Sequence, residues 1–352
     1  MSDGSAARDE WVERFDQQAV ACAELGSALY GRLLRIIADD VGVGGPSWEV
    51  IAAHADLRFG QAGPLRLVGG AHRLALAGAA PGWAAVLPSC GGAVPTEDRD
   101  LAEAWRRVVG SHGDELRSGM DREVQTNEVA RAAGLALGAA STGFERARLV
   151  ELGCSGGLNL RLDGFRVELG TVLLGDPASP VRLAPEISGT VGLSLRMPVV
   201  GERIGLDPHP VDATSDEGRV TLLGFVWPDQ SERFERIAAA IELAAATPAD
   251  LRRTADTAAS LAAVLSRRTP TIVQQSIMWQ YVPTDMRWQI TSTIEAAGAR
   301  ADTDAPLAWV RYEPDEWDRR RASIWLRTWP EGADRLVGHA DYHGRWLAPA
   351  RR

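Results

Sequence analysis

The sequence predicts a mixed α/β fold in which an all-helical N-terminal domain, residues 1–140, precedes an α/β domain, residues 141–352. Two observations support this organisation. Up to about residue 140, apolar residues recur at helical spacing and no convincing period-two alternation appears. After residue 145, short apolar runs alternate with helical segments, which predicts a largely parallel sheet covered on both faces.

The individual elements follow from this periodicity and from the turn residues between them. Helices are predicted in the N-terminal domain at 15–39, 47–54, 65–77, 98–110 and 113–140, with a Gly/Pro-rich loop at 78–95. Parallel strands are predicted at 148–152, 203–206, 250–255, 271–278 and 307–312, with helices at 231–246, 258–265 and 285–297. Extra strands are predicted in an insertion at 165–183, and a final antiparallel pair at 323–328 and 344–347.

Composition narrows the classes of protein that the chain can belong to. A net charge of −9 over 352 residues does not favour a nucleic-acid surface. The polar N-terminus and the lack of a long apolar run predict neither a secretory signal nor a membrane span. Three widely spaced cysteines fit neither a disulfide framework nor a zinc site. We therefore expect a cytoplasmic protein that acts on a small molecule; the oligomeric state is not indicated.

Two residue types are scarce. The chain has no lysine, which excludes a lysine Schiff base with pyridoxal phosphate and a P-loop lysine. It has only two asparagines, Asn127 and Asn159, and both lie in the segments discussed below.

The segment LVELGCSGGLNL, residues 149–160, carries the strongest chemical signal. A short apolar strand runs through Glu151 into a turn of small residues, 153–157, and a helix is predicted from Leu158. A glycine-rich turn after a parallel strand lets a ligand approach the backbone, and the N–H groups of the next helix attract an anion. In S-adenosylmethionine that anion is the methionine carboxylate, and Glu151 adds negative charge for the ammonium and sulfonium groups.

Three motifs compete for this turn. The methyltransferase loop acidic-x-Gly-x-Gly-x-Gly fits Glu151, Gly153 and Gly157, with Ser155 at the middle position. The dinucleotide fingerprint G-x-G-x-x-G fails at Ser155. The nucleophile elbow G-x-S-x-G matches residues 153–157, and histidines near the C-terminus could serve as its base.

The position of the turn favours the first motif over the elbow. A hydrolase elbow follows several earlier strands, whereas this turn follows the first predicted strand. Glu151 also stands where an elbow strand is normally apolar. The sequence thus predicts a Rossmann-like sheet of the class I methyltransferase type that binds S-adenosylmethionine. A serine hydrolase using Ser155 and a non-catalytic nucleotide-binding protein remain the alternatives.

Downstream residues extend the predicted site. Asp207, after the second strand, is a candidate acceptor for the ribose hydroxyls, and Asp256, after the third, for the adenine amine. Both could instead be caps, because Asp before a helix is a normal N-cap. The predicted cofactor-binding residues are Glu151, Gly153, Cys154, Ser155, Gly156, Gly157, Asn159, Asp207 and Asp256.

Other polar and aromatic residues are candidates for the substrate pocket. Trp279, Gln280 and Tyr281 follow the fourth strand, where the loop would face the transferred methyl group; Trp279 and Tyr281 could equally be core. Gln125 and Asn127 could close over the ligand or belong to a capped helix start. No general base and no metal site is predicted; two histidines four residues apart, His339 and His343, are a weak metal signal.

Blocks along nearly the whole chain resemble family 2332 of the domains of unknown function. They are QTNEVAR (125–131), ELGCSGGLNLRLDGF (151–165), GDPASPV (175–181), GLDPHPVD (205–212), FVWPDQSERFERI (225–237), SIMWQYVP (276–283) and LAWVRYEP (307–314). The family is similar to class I methyltransferases in its C-terminal part. Its turn often resembles G-A-S-A-G-x-N, so this chain departs at Cys154 and Gly156, and the resemblance places Asn159 in the motif.

Overall fold

The computed structural model describes residues 2–125, 127–192 and 194–350. The chain divides into two compact units, an N-terminal unit of residues 1–126 and 219–235 and a C-terminal unit of residues 127–218 and 236–352. This division differs from the predicted boundary at residue 140, because residues 127–140 belong to the C-terminal unit and residues 219–235 return to the N-terminal one.

The N-terminal unit is helical, and no strand occurs among its described residues. Its helices are α1 (Ser2–Glu24), α2 (Ala28–Gly42), α3 (Pro46–Ile51), α4 (Gly63–Leu76), α5 (Pro81–Ala84) and α6 (Asp98–Gly119). They enclose a core that includes the fully buried Trp11, Phe15, Leu33 and Ile37. The apolar stripe of α2 faces this core, and the Ser27 side chain caps the helix by accepting from the Tyr30 N–H.

The division between the units falls within two helices, so the C-terminal unit contains only the start of the first and most of the second. The helices from residue 127 onward are α7 (Ala132–Ala140), α8 (Asp216–Gly224), α9 (Ser231–Ala246), α10 (Thr257–Leu265) and α11 (Thr284–Gly298). The continuous helix predicted at 113–140 is wrong, since α6 ends at Gly119 and α7 begins at Ala132.

Twelve strands occur among the described residues. They are β1 (Arg146–Leu152), β2 (Arg166–Leu169), β3 (Val172–Gly175), β4 (Arg182–Leu183), β5 (Glu186–Ile187), β6 (Val199–Asp207), β7 (Asp250–Arg253), β8 (Thr271–Ser276), β9 (Leu307–Pro314), β10 (Ala322–Trp329), β11 (Asp334–Ala340) and β12 (Trp346–Pro349). Strands β2, β3 and β4 form a small separate sheet within the insertion predicted to contain extra strands.

The other nine described strands form one sheet in the order β5-β12-β11-β10-β9-β8-β1-β6-β7. The run from β9 to β7 is parallel throughout, and β10 and β11 extend it antiparallel. The chain goes from β1 outward to β6 and β7, then returns to β8 on the other side of β1. The crevice between the carboxyl ends of β1 and β8 is therefore a topological switch point, where open α/β sheets bind ligands.

Apolar residues explain why the central strands are buried on both faces. Val150 of β1 and Val273 of β8 on one face, and Leu149 and Ile272 of the same strands on the other, are almost fully buried, as expected for a parallel sheet. The predicted C-terminal pair is wrong in its partners, because β11 separates β10 from β12. Along the described part of the chain, no helix is both long enough and apolar enough to cross a membrane.

Candidate functional site

The small-residue turn lies where β1 ends, at the switch point. Gly153 and Gly157 have φ values of +65° and +61°, which glycine adopts without steric cost. Ser155 between them has φ +47°, an uncommon value for a residue with a side chain. The element that follows is a 3₁₀ helix, Leu158–Gly164, instead of the predicted α-helix.

The amides of this turn donate to protein acceptors. The Ser155 N–H donates to Asp207 Oδ2 at 2.8 Å, and the Gly156 N–H to Asn127 Oδ1 at 3.1 Å. The N–H groups of Gly153 and Gly157 donate to backbone carbonyls. These four amides are therefore engaged within the protein in the turn as it is folded here.

Two predicted site residues hold the turn in place. Asp207, the last residue of β6, is 8% exposed, and its other oxygen, Oδ1, accepts from the His209 N–H at 2.7 Å. The Asn127 carboxamide spans the turn, because its Nδ2 also donates to Ser155 Oγ at 2.8 Å. The structure thus brings Asn127 and Asp207 together at the turn, where both position its backbone.

Glu151 lies beneath the turn and is 3% exposed. Burial raises the pKa of its carboxyl to about 8, against the lowering effects of the Arg161 charge and a hydrogen bond from Gln274. Arg161 is itself buried and donates to the carbonyls of Gly157, Ala244 and Thr247. The protonated carboxyl of Glu151 is consequently the dominant form at neutral pH.

Three buried oxygens in this region have no hydrogen-bond partner among the described residues. They are Glu151 Oε2, Gln274 Oε1 and Asn159 Oδ1. The residues adjoin one another, since Gln274 is the register neighbour of Glu151 on β8 and donates to the Asn159 carbonyl at 3.3 Å. Buried acceptors without donors are costly, so this cluster is suited to a ligand rich in N–H groups.

The remaining turn residues face different surroundings. The Cys154 side chain is buried against Gly205 of β6, where an added Cβ would lie 2.5 Å from Cys154 Sγ. Gly156 lines a cavity of about 350 Å³ together with Arg161 and the loop after β6. Asp256 is exposed and caps α10 by accepting from the Ala259 N–H, which is the alternative raised for it above.

The loop after β8 forms the other wall of the switch point. Ile277 has φ +50°, a strained value for a β-branched residue, and its N–H donates to the Tyr312 carbonyl. The half-buried Glu313 of β9 fixes the next residues, because its Oε1 accepts from Gln275 Nε2 at 3.0 Å and from the N–H groups of Met278 and Trp279 at 3.3 Å. Burial raises the pKa of the Glu313 carboxyl to about 7, although these hydrogen bonds lower it.

A cavity of about 620 Å³ opens beside this loop. We call it the tryptophan cavity, because Trp279, Trp317 and Trp325 line it together with Glu313. Of the other residues predicted for the substrate pocket, Gln280 also lines this cavity, whereas Tyr281 is 74% exposed and is absent from the lining. Gln125 belongs to the N-terminal unit and is half-buried.

The histidines proposed as hydrolase bases are engaged away from Ser155. His339 Nδ1 lies 3.3 Å from Ser323 Oγ and 3.5 Å from Asp315 Oδ2, and His343 Nδ1 lies 3.5 Å from Glu128 Oε2. The Gly156 N–H, which would form the oxyanion hole of an elbow, donates to Asn127. Within the described ranges, no group of three or more His, Cys, Asp or Glu could hold a metal ion.

We therefore expect a fluorophosphonate probe to leave Ser155 unlabelled. The Ser155 hydroxyl accepts from Asn127, and neither of the two C-terminal histidines reaches it. Intact-protein mass spectrometry of the wild type and Ser155→Ala after treatment should show the same mass increment, or none. Labelling that occurs in the wild type and is lost in Ser155→Ala would support the serine hydrolase alternative.

Sequence reasoning missed four residues that shape the site: Arg161, Gln274, Gln275 and Glu313. One signal was available, since two adjacent glutamines in an otherwise apolar strand, TIVQQS, indicate buried polar groups with specific partners. Glu313 stands at the carboxyl end of a predicted parallel strand, as Asp207 does.

Comparisons with known proteins identify the family of the chain and do not indicate an activity. No curated protein and no solved structure matches the chain. The family model described as "Uncharacterized protein conserved in bacteria (DUF2332)" matches residues 12–348. Because that match spans both units, the chain belongs to the DUF2332 family of uncharacterized bacterial proteins.

Proposed function

We propose that this chain is an S-adenosylmethionine-dependent methyltransferase whose cofactor binds at the switch point between β1 and β8. The observation that carries the proposal is backbone strain on both sides of that point. Of the three described non-glycine residues with positive φ, two are Ser155 after β1 and Ile277 after β8. Strain of this kind concentrates at ligand sites, where the surrounding structure maintains it.

The acceptor cluster supports an ammonium-bearing ligand. An ammonium group has three donors and no acceptor. Gln274 Oε1 and Asn159 Oδ1 offer two unpartnered acceptors, and Glu151 Oε2 offers a third when the positive charge of the ligand ionises its carboxyl. We assign the amino group of the methionine moiety to this cluster, which keeps Glu151 in the role that the sequence predicted for it. When it is bound, the cofactor supplies an electrophilic methyl group.

The nucleoside end can be assigned to residues on the β6 side. Each oxygen of Asp207 accepts one backbone N–H and retains a lone pair for a ribose hydroxyl. The cavity of about 350 Å³ beside Gly156 adds Asp212 and Thr214 from the loop after β6. These side chains would bind and orient the cofactor, and the order of the parallel strands is that of nucleotide-binding doubly wound sheets.

Calorimetric titration with S-adenosylmethionine tests the proposal, with two glycine variants as a matched pair. Gly153 and Gly170 both have φ +65°, so valine strains the backbone equally at the two positions. An added Cβ meets Met278 at 3.0 Å at Gly153, whereas it meets nothing within 4 Å at Gly170. We expect Gly153→Val to weaken binding about 100-fold or more and Gly170→Val to bind as the wild type does.

The near-ultraviolet circular dichroism of each variant verifies its fold. A wild-type protein that gives no heat of binding, or a folded Gly153→Val that binds as tightly as Gly170→Val, contradicts the proposal.

A further inference from the structure

We propose that the tryptophan cavity binds an organic ammonium ion, so that the methyl acceptor is an amine. The identification of the bound amine as a methyl acceptor rests on the proposed function. The ammonium site itself is argued from the cavity alone.

Aromatic walls favour a cationic ligand. Three tryptophans line the cavity, Trp279, Trp317 and Trp325, and the face of an indole ring attracts an organic cation more strongly than the rings of tyrosine and phenylalanine do. Trp317 is 80% exposed, although a large aromatic side chain gains stability from burial. Tryptophan is also among the residues that are enriched at binding surfaces.

Two carboxylates of the lining, Glu313 and Glu316, form no ion pair among the described residues, although the charge of Arg131 acts on Glu313 from outside the lining. Among the lining residues, Arg311 pairs with Asp334, and Arg287 donates to the carbonyls of Val282 and Gln280. The lining as a whole has four carboxylates, Glu313, Asp315, Glu316 and Asp334, against three guanidinium groups, Arg287, Arg311 and Arg319.

Glu313 is also held in a fixed position. Gln275 is oriented by the indole N–H of Trp309, which donates to its Oε1 at 3.1 Å, and its Nε2 in turn donates to Glu313. Two backbone N–H groups complete the set. A carboxylate fixed among indole rings can pair with an ammonium and accept one N–H proton, which leaves the neutral amine that a methyl transfer requires.

Quenching of tryptophan fluorescence by choline tests the site. The neutral isostere 3,3-dimethylbutan-1-ol has the same shape without the charge. We expect choline to bind the wild type about tenfold more tightly than the isostere. Glu313→Gln and Trp317→Ala should each weaken choline binding about fivefold or more.

Two variants outside the lining serve as controls. Trp288→Ala removes an equally exposed tryptophan, at 71%, and Glu331→Gln removes an exposed carboxylate, and both should bind choline as the wild type does. Because Trp317 is exposed, its replacement does not disturb the core. Equal binding of choline and the isostere, or unchanged binding by Trp317→Ala, overturns the inference.

The two proposals fail separately. If the protein binds choline but not S-adenosylmethionine, the proposed ammonium site stands and the proposed methyltransferase activity is contradicted. If the protein binds S-adenosylmethionine but does not prefer choline to the isostere, the proposed amine acceptor is contradicted and the proposed methyltransferase activity stands.

Discussion

Replacing Glu151 by glutamine is expected to stabilise the protein increasingly as the pH rises from 4.5 to 8. The pKa of Glu151 is raised from 4.5 to about 8 by burial, so the folded state keeps a proton that the unfolded state releases. A raised carboxyl pKa gives stability that is complete below the unfolded value and lost as the pH passes through the folded one.

The size of this effect follows from the difference between the two pKa values. The difference in unfolding free energy between Glu151→Gln and the wild type should be larger above pH 8 than at acidic pH by on the order of 5 kcal/mol, in favour of the variant. Urea unfolding curves over this range measure it. Glu168→Gln is the control, because the pKa of Glu168 is lowered to about 2 by Arg182 and titrates outside the range. A constant difference between Glu151→Gln and the wild type would contradict the assignment.

Replacing Arg161 by methionine is expected to cost on the order of 3–5 kcal/mol of unfolding free energy. The change removes a donor from three carbonyls, those of Gly157, Ala244 and Thr247, and removes the positive charge near Glu151. The Gly157 carbonyl keeps the Leu160 N–H as a donor. Because Gly157 closes the turn, the turn should loosen as well.

The control for this variant is Arg252→Met, because Arg252 is exposed and, among the described residues, forms an ion pair only with Asp250. Its unfolding free energy should change by less than about 1 kcal/mol. The double variant with Glu151→Gln should lose less than the sum of the single changes, since the two side chains interact. An Arg161→Met protein as stable as Arg252→Met would show that the guanidinium does not support the turn.

Local pattern predicted the central strands well, for a physical reason. Short apolar runs that end in small or acidic residues are typical of strands buried on both faces, and β1, β6, β8 and β9 are of this kind. The polar strand β11 lacks such a run and was missed. The same limit explains the single helix predicted at 113–140, because the Met120–Glu128 stretch contains neither Gly nor Pro to indicate the break.

The chemistry of the turn depended on contacts that local sequence does not encode. The glycine spacing predicted a bend after Glu151, and the bend is present. Its amides, however, donate to two side chains that are distant in sequence. Asp207 lies 52 positions from Ser155, and Asn127 lies 29 positions from Gly156. The raised pKa of Glu151 likewise depends on burial, which requires the neighbouring strands.

The return of residues 219–235 to the N-terminal unit bears on how the gene can be cut. A fragment starting at Asn127 would carry Leu222, Phe225 and Trp227 after deletion of the helices that bury them, and such a polypeptide should aggregate. The complementary fragment would lack Trp227 from its core and the Gly224 carbonyl that accepts from His72. To obtain each unit as a soluble protein, residues 219–235 would have to be fused to the N-terminal fragment, and a linker would have to join residues 218 and 236 in the C-terminal fragment.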